Sequence, residues 1–578
     1  MNRIQTFVLS AISLAAVVAA IGCSATARNV QPPQADAGGR RGLPTGSVIF
    51  FHPDGTGANH WSAARMYFKG PDGHLNWDLL PHLALYRGHM RNNLIGTSNG
   101  GATTHAFGYR VDGPGSFGKN GEGAQSVFIN SLSGYPGSIM REAANTGIPV
   151  GLVNDGHFGE PGTGCFLAEI GNRSDWQEIT RQMIQGRPGF TDTPPWVLMG
   201  GGEADTRPAG TLLLNRNHNQ ERGQPLHANT SLRTDELDLE AEWNAGGSGD
   251  ISNDPAAFDD WIVVKTRAEF EKLRAALAAD PTYVPRVLGI FAYHDTFNDR
   301  NEEDLIARGK VTSDPVNFVG PLQDSAPGTP GFRSKASRII LWGDVPGQPG
   351  FNPPTFKEMV TVALTILERA AAQQKEPDNR RFFLVAEQEA NDNFSNNNNA
   401  IGLLHALHDT DGAIGVAQDY LARRPNTLIL TAADSDAGGP QLTAPYRSAV
   451  VQAAGEINTT SFRFGFNANP SAGSPDLPNI PDGLEGRGRN AAAPGGANMF
   501  LAEPDRLGQT MQFGIAWAGT GDYAGAVLSR AAGVNAGLLN TIFASRFENI
   551  DVYRLVYATL FGSLLPTPED PTAPARTP

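Results

Sequence analysis

Ser47-Val48-Ile49-Phe50-Phe51-His52-Pro53-Asp54-Gly55-Thr56-Gly57 decides the reading of this chain, because an apolar run stops abruptly at an acid followed by a glycine turn. Three later stretches repeat the arrangement. Ile148-Pro149-Val150-Gly151-Leu152-Val153 leads into Asn154-Asp155, Phe382-Phe383-Leu384-Val385-Ala386 into Glu387 and on to Asp392, and Thr427-Leu428-Ile429-Leu430-Thr431-Ala432-Ala433 into Asp434. Short apolar runs bounded by turn residues predict buried parallel strands, and an open α/β sheet collects its chemistry at the strands' carboxyl ends. Carboxylates delivered there converge on a cation.

Working outward, Asp175 to Gln185, Ala268 to Ala279, Thr355 to Ala372, Ile401 to Arg423 and Asp551 to Phe561 carry apolar residues at helical spacing. Their alternation with the strands predicts an α/β fold, a doubly wound and mostly parallel central sheet with helices on both faces. Two regions interrupt the rhythm: 203–259 and 439–503 are rich in Asn, Gly, Pro and Asp and read as loop-rich insertions. The organisation is then a signal segment at 1–27, a flexible tether at 28–45, one domain at 46–564 and a flexible Pro/Thr tail at 565–578.

Composition narrows the partners. With a formal net charge of -14 the chain lacks the basic face that tracks phosphate backbones, so a nucleic-acid surface is not expected. Arg3 followed by the apolar run Phe7 to Gly22 reads as an export signal. Ala20-Ile21-Gly22-Cys23 resembles a lipobox that would anchor the chain through a lipid on Cys23, while Ala25-Thr26-Ala27 offers ordinary cleavage. Either route leads out of the cytoplasm, to the periplasm or to an outer-membrane anchor. Cys23 and Cys165 are the only cysteines, so a disulfide framework and a Cys-rich zinc site are both excluded, and Cys165 reads as a small buried residue.

The motifs in order resemble the alkaline phosphatases. Asp54-Gly55-Thr56-Gly57 is similar to that family's opening D-G-M-G, and Thr97-Ser98-Asn99-Gly100-Gly101-Ala102-Thr103-Thr104 to its nucleophile motif. Pro161 to Glu169, ending at Arg173, resembles the segment that carries the family's phosphate-binding arginine. Glu387 and Asp392 fit E-G-x-x-I-D, and Ala432-Ala433-Asp434-Ser435-Asp436-Ala437-Gly438-Gly439 resembles T-A-D-H-E-T-G-G. The resemblance implies an exported, metal-dependent phosphatase that hydrolyses small phosphomonoesters through a phosphoserine on Ser98, with Thr97 as the fallback nucleophile and Arg173 clamping the phosphoryl group.

The same resemblance implies metal ligands. Asp54 would bridge two sites; Asp434 with Ser98 and Ser435 would complete one, Asp392 with Asn396 another, and Glu387 with Asp155 a third. The departures are equally informative. Asn396, Ser435 and the region of Gly508-Gln509-Thr510 stand where the family has zinc-binding histidines, and Thr97 replaces the acid before the nucleophile. Imidazole favours zinc, so its loss shifts the expectation to calcium or magnesium, with manganese next and zinc behind. His52, His60, His105 and His157 lie near the motifs; each is either a substitute ligand or an ordinary hydrogen-bonded histidine.

The chemistry stands without the resemblance. Phosphoryl transfer needs a placed hydroxyl, charge neutralisation and a guanidinium fork for the equatorial oxygens. Ser98 before Gly100-Gly101 suits it, because absent side chains let a phosphate approach backbone N–H groups at a helix start. A diesterase of the same fold, or a non-catalytic protein binding a phosphorylated ligand, are the alternatives. Buried carboxylates repel one another without a cation, which favours activity.

Overall fold

The computed structural model describes residues 40–217, 223–225, 227–246, 261–297, 353–377, 380–443, 500–509, 511–543, 547–568 and 575–576. The export segment with Cys23, residues 28–39 of the tether and nearly all of the 439–503 insertion lie outside them.

The quoted stretch is the first strand of the main sheet. Ten strands compose it: β1 Ser47–Pro53, β2 His82–Arg87, β3 Val150–His157, β4 Val197–Gly201, β5 Trp261–Val264, β6 Arg286–Ile290, β7 Phe383–Gln388, β8 Thr427–Thr431, β9 Val527–Gly533 and β10 Phe547–Glu548. Their order across the sheet is β10-β2-β9-β8-β1-β7-β3-β4-β6-β5. From β8 to β5 all neighbours run parallel, and β9 is antiparallel to both of its neighbours. β1 therefore lies inside the sheet between β7 and β8, which places Asp54, Glu387 and Asp434 at one end of three adjacent strands.

Every residue of β1 is buried, as expected for a strand covered on both faces. Side chains alternate between two cores. Ile49 and Phe51 join one with helices α1 Ala58–Lys69, α4 Arg267–Ala279, α5 Phe356–Ala372 and α7 Ala400–Arg423, whereas Val48 and Phe50 join the other with α2 Ser98–Phe107, α3 Trp176–Gln185 and α8 Asn549–Phe561. The fold is the doubly wound sheet read from the sequence. Helix α5 shows why these segments start where they do: Thr355 accepts from Glu358 N, and the Glu358 side chain reaches back to Thr355 N, a reciprocal cap. No helix among the described residues is long and apolar enough to cross a membrane.

Three stretches read as loops or tails are better anchored than their composition suggests. Arg40–Arg41 of the tether pairs antiparallel with Ser563–Leu564. In the tail, Arg576 donates to Phe128 O and pairs with Glu169. Within 203–259, Leu239 and Trp243 are wholly buried, and the Trp243 ring meets Trp261 edge-on at 5.0 Å. Apolar anchors inside a polar segment are averaged away by composition.

Candidate metal centre and nucleophile

The carboxyl ends of β1, β7 and β8 converge. Asp54 is fully buried, and its Oδ1 and Asp434 Oδ1 both accept from Gly55 N, at 3.0 and 3.4 Å. Helix α6 Ala390–Asn396 follows β7 after one residue and carries Asp392 and Asn396 one helical turn apart. Asn396 Nδ2 donates to Asp392 Oδ2 at 2.9 Å and to Asp522 Oδ1 at 3.4 Å. Asp522 arrives from the other side, paired opposite Ala437 in a short antiparallel ladder, and lies against Ser435.

Several lone pairs of this cluster face only other acids or find no donor among the described residues. Asp54 Oδ2, Asp392 Oδ1, Asp434 Oδ2 and Glu389 Oε2 are buried with no hydrogen-bond donor among the described residues, as is Asn396 Oδ1. Ligand atoms of Asp54, Glu389 and Asp392 lie within 4.8 Å of one another, and so do those of His52, Asp54 and Asp434. Burial first, and neighbouring carboxylates second, push Asp54, Asp392, Asp434 and Glu389 well above the usual carboxylate range. Such a cluster holds its charge only beside cations. A set of carboxylate and amide oxygens with one imidazole fits a hard divalent ion.

Ser98 opens α2, a helix whose ten residues are all buried. Its hydroxyl makes no hydrogen bond among the described residues. Thr97 differs: its Oγ1 accepts from Gly100 N at 3.2 Å and donates to Pro114 O at 2.5 Å, so it caps the helix and leaves Ser98 as the free hydroxyl. The run Leu94-Ile95 before it is loop and not strand. A Cβ at Gly101 would sit 2.5 Å from Asp434 Cβ, so glycine is what lets this first turn rest on the acid cluster. Arg173 approaches from the loop before α3, 3.5 Å from Glu160. Burial disfavours its charge, but Glu160, Glu389, Asp54 and Asp392 outweigh that and hold its pKa above the ordinary value.

Two expected ligands are already held by donors of the protein. Asp155 and Glu387 cannot share an ion, because their side chains leave opposite faces of the sheet. Asn154 stands opposite Glu387 in the β3–β7 register and bonds to its Oε2, which puts the next residue, Asp155, on the other face. There Asp155 Oδ1 accepts from Glu389 N at 2.8 Å and Ala390 N at 3.2 Å, and Oδ2 accepts from Gln388. It caps α6. Glu387 accepts from Gly162 N at 2.8 Å, from Thr163 Oγ1 at 3.1 Å and from Asn154. The stretch near Gly508-Gln509 is an exposed turn closed on Asp505. The acid that precedes the β9 strand and enters the cluster is Asp522.

Of the four histidines near the motifs, His52 alone joins the cluster. His60 Nδ1 accepts from Gly57 N, His105 shares a 2.7 Å hydrogen bond with Tyr86, and His157 pairs with Asp205. Cys165 is buried as expected, its thiol pushed up to about 12 by burial.

The alkaline phosphatase family model matches residues 46–466. The chain belongs to the alkaline phosphatase family. An alkaline phosphatase of Gadus morhua is 25% identical over 280 residues, which are 44% of this chain and 53% of that protein. The chain thus spans about half the length of this curated relative. Among solved structures, the alkaline phosphatase of Thermus thermophilus superposes with a TM-score of 0.53 at 17% identity, covering 93% of this chain and 94% of the other. That of the Antarctic bacterium TAB5 gives 0.50 at 15% identity, over 89% and 98%. These likenesses show the alkaline phosphatase fold, and the family's use of divalent metals agrees with the partnerless oxygens.

Glu389 and Asp522 are absent from the ligands expected from the sequence, and His52 is there only as one of four candidate substitute imidazoles. Glu389 carried a signal, since Glu387-Gln388-Glu389 offers two acids of equal parity at a strand end. Gly519-Thr520-Gly521-Asp522, shortly before the apolar Val527-Leu528, was the corresponding signal for Asp522.

Proposed function

We propose that this protein is an exported metal-dependent phosphatase that hydrolyses small phosphomonoesters through a phosphoserine on Ser98. The observation that carries the reading is the Ser98 hydroxyl, without a hydrogen bond among the described residues, on a buried helix whose first turn packs at Gly101 against Asp434 of the acid cluster. Divalent cations bound by Asp54, Asp392, Asp434 and Glu389 would neutralise the phosphoryl oxygens and make the hydroxyl a better nucleophile. Calcium or magnesium fits the oxygen donors better than zinc.

The chain's own groups do the positioning. The N–H groups at the start of α2 face the incoming phosphate, and Gly100 and Gly101 keep that approach open. Arg173 forks onto two equatorial oxygens while Glu160 restrains its swing. Ser98 Oγ bonds to phosphorus as the ester P–O bond breaks; the serine proton goes to solvent and the leaving alcohol takes one. Water then attacks the phosphoserine, freeing phosphate and restoring the hydroxyl. Export of the chain through residues 1–27, with Cys23 lipidated or cleavage after Ala27, places this chemistry in the periplasm or at the outer membrane.

Replacing Ser98 by Ala should lower aryl phosphate turnover by about 10³-fold or more with an unchanged melting temperature. In the wild type, acid quenching during turnover should trap one phosphoryl group on the peptide containing Ser98. Wild-type turnover by the alanine variant, or an unlabelled peptide, would rule out the serine route.

A further inference from the structure

Resting on the metal-dependent reading above, we propose that the centre takes two cations and not three, both held by Asp54: one with His52 and Asp434, the other with Glu389 and Asp392. The donors divide this way by distance, since each trio brings its ligand atoms within 4.8 Å and Asp54 belongs to both. Glu389 is 4% exposed and His52 fully buried, and neither Glu389 Oε2 nor either ring nitrogen of His52 has a hydrogen-bond partner among the described residues. These are ligand atoms waiting inside the protein, not surface acids.

The third position, expected between Asp155 and Glu387, is closed for three reasons. The two carboxylates lie on opposite faces of the sheet. Their oxygens are already held, those of Asp155 by the start of α6 and those of Glu387 by Gly162, Thr163 and Asn154. The space beside Glu387 is filled by imidazole: His52 Nδ1 stands 3.4 Å from Glu387 Oε1. A Cβ at Gly162 would meet Glu387 Oε1 at 2.1 Å and His52 Nδ1 at 2.3 Å, so a glycine at that position is what allows the ring and the carboxylate to lie together. Asp155 keeps a different job, since by capping α6 it fixes the backbone from which Glu389 and Asp392 project.

The test is a count of bound ions by equilibrium dialysis of the full chain against calcium, with elemental analysis of the retained metal. Two ions per wild-type chain are expected. Glu389→Gln should lower the count to one, while Glu387→Gln should keep two, each variant first checked for a wild-type circular dichroism spectrum. Three ions in the wild type, with the third removed by Glu387→Gln, would overturn the two-ion centre and leave the phosphatase reading standing. No retained ion in the wild type would overturn both. The wild-type count decides even if a variant fails to fold.

Discussion

Buried Asp192 and the buried acids of the metal centre behave in opposite ways. Asp192 receives a two-pronged Arg187 fork at 2.8 and 2.9 Å, a bond from Asn145 at 3.0 Å and the nearby Arg141 guanidinium at 3.5 Å. Burial alone would raise its pKa, but Arg187 and Arg141 hold it well below the usual carboxylate range. Asp54, Asp392, Asp434 and Glu389 are comparably buried, yet each keeps an oxygen with no hydrogen-bond donor among the described residues and sits well above that range. Arg173 acts on them through space, while its own hydrogen bond goes to Glu160. The fold evidently can pair a buried carboxylate from within. Where it does not, the partner has to come from solution, and the contrast separates an acid that holds the structure from one that does chemistry.

Substituting one acid of each kind should split activity from stability. Asp54→Asn should lower aryl phosphate turnover by about 10³-fold, the largest ligand effect, because this carboxylate serves both ions. In the chelated protein the same change should raise the melting temperature, since it relieves repulsion among buried charges. Asp192→Asn should do the reverse: destabilisation of about 3–5 kcal/mol in urea unfolding, as expected for breaking a buried ion pair, with turnover per folded molecule retained. A chelated Asp54→Asn protein less stable than the chelated wild type would break the comparison.

A smaller effect sharpens it with pH. The cluster carboxylates have folded pKa values above their unfolded ones, near 4, so the folded state binds more protons and the metal-free protein loses stability as pH rises through that window. Asp192 is depressed, so its contribution is present above about pH 4 and is lost as pH falls toward its folded value. Melting curves from pH 4.5 to 8 should therefore slope downward with a chelator present and flatten with saturating calcium. Equal slopes in both conditions would mean that the cluster carries no uncompensated charge.

Much of this is legible in the amino-acid sequence. The runs ending at Asp54, Glu387 and Asp434 became three adjacent parallel strands, because continuous apolar runs between turns have few other stable outcomes. Asp392 and Asn396 were legible as a helical i, i+4 pair. What failed was parity and loop length. A one-residue step in a strand reverses a side chain's face, and nothing in the sequence states that Asn154, and not Asp155, stands opposite Glu387. Thr97 read as a spare nucleophile because capping and catalysis favour the same hydroxyls. The counterpart of the family's last histidine falls near Gly508-Gln509 in the sequence reading because a segment poor in apolar residues gives no measure of where the next strand begins. Asp522, five residues before β9, is where the topology delivers it.

The central claim is that the partnerless carboxylates hold divalent cations on which hydrolysis depends. Its most direct test is to strip the full-length protein with a chelator, remove the chelator, and add single divalent ions while following hydrolysis of a simple aryl phosphate at mildly alkaline pH. Activity should vanish on stripping and return with calcium or magnesium, then manganese, to a higher rate than with zinc. Zinc giving the highest rate would contradict the oxygen-ligand account, and full activity after complete stripping would contradict the claim itself.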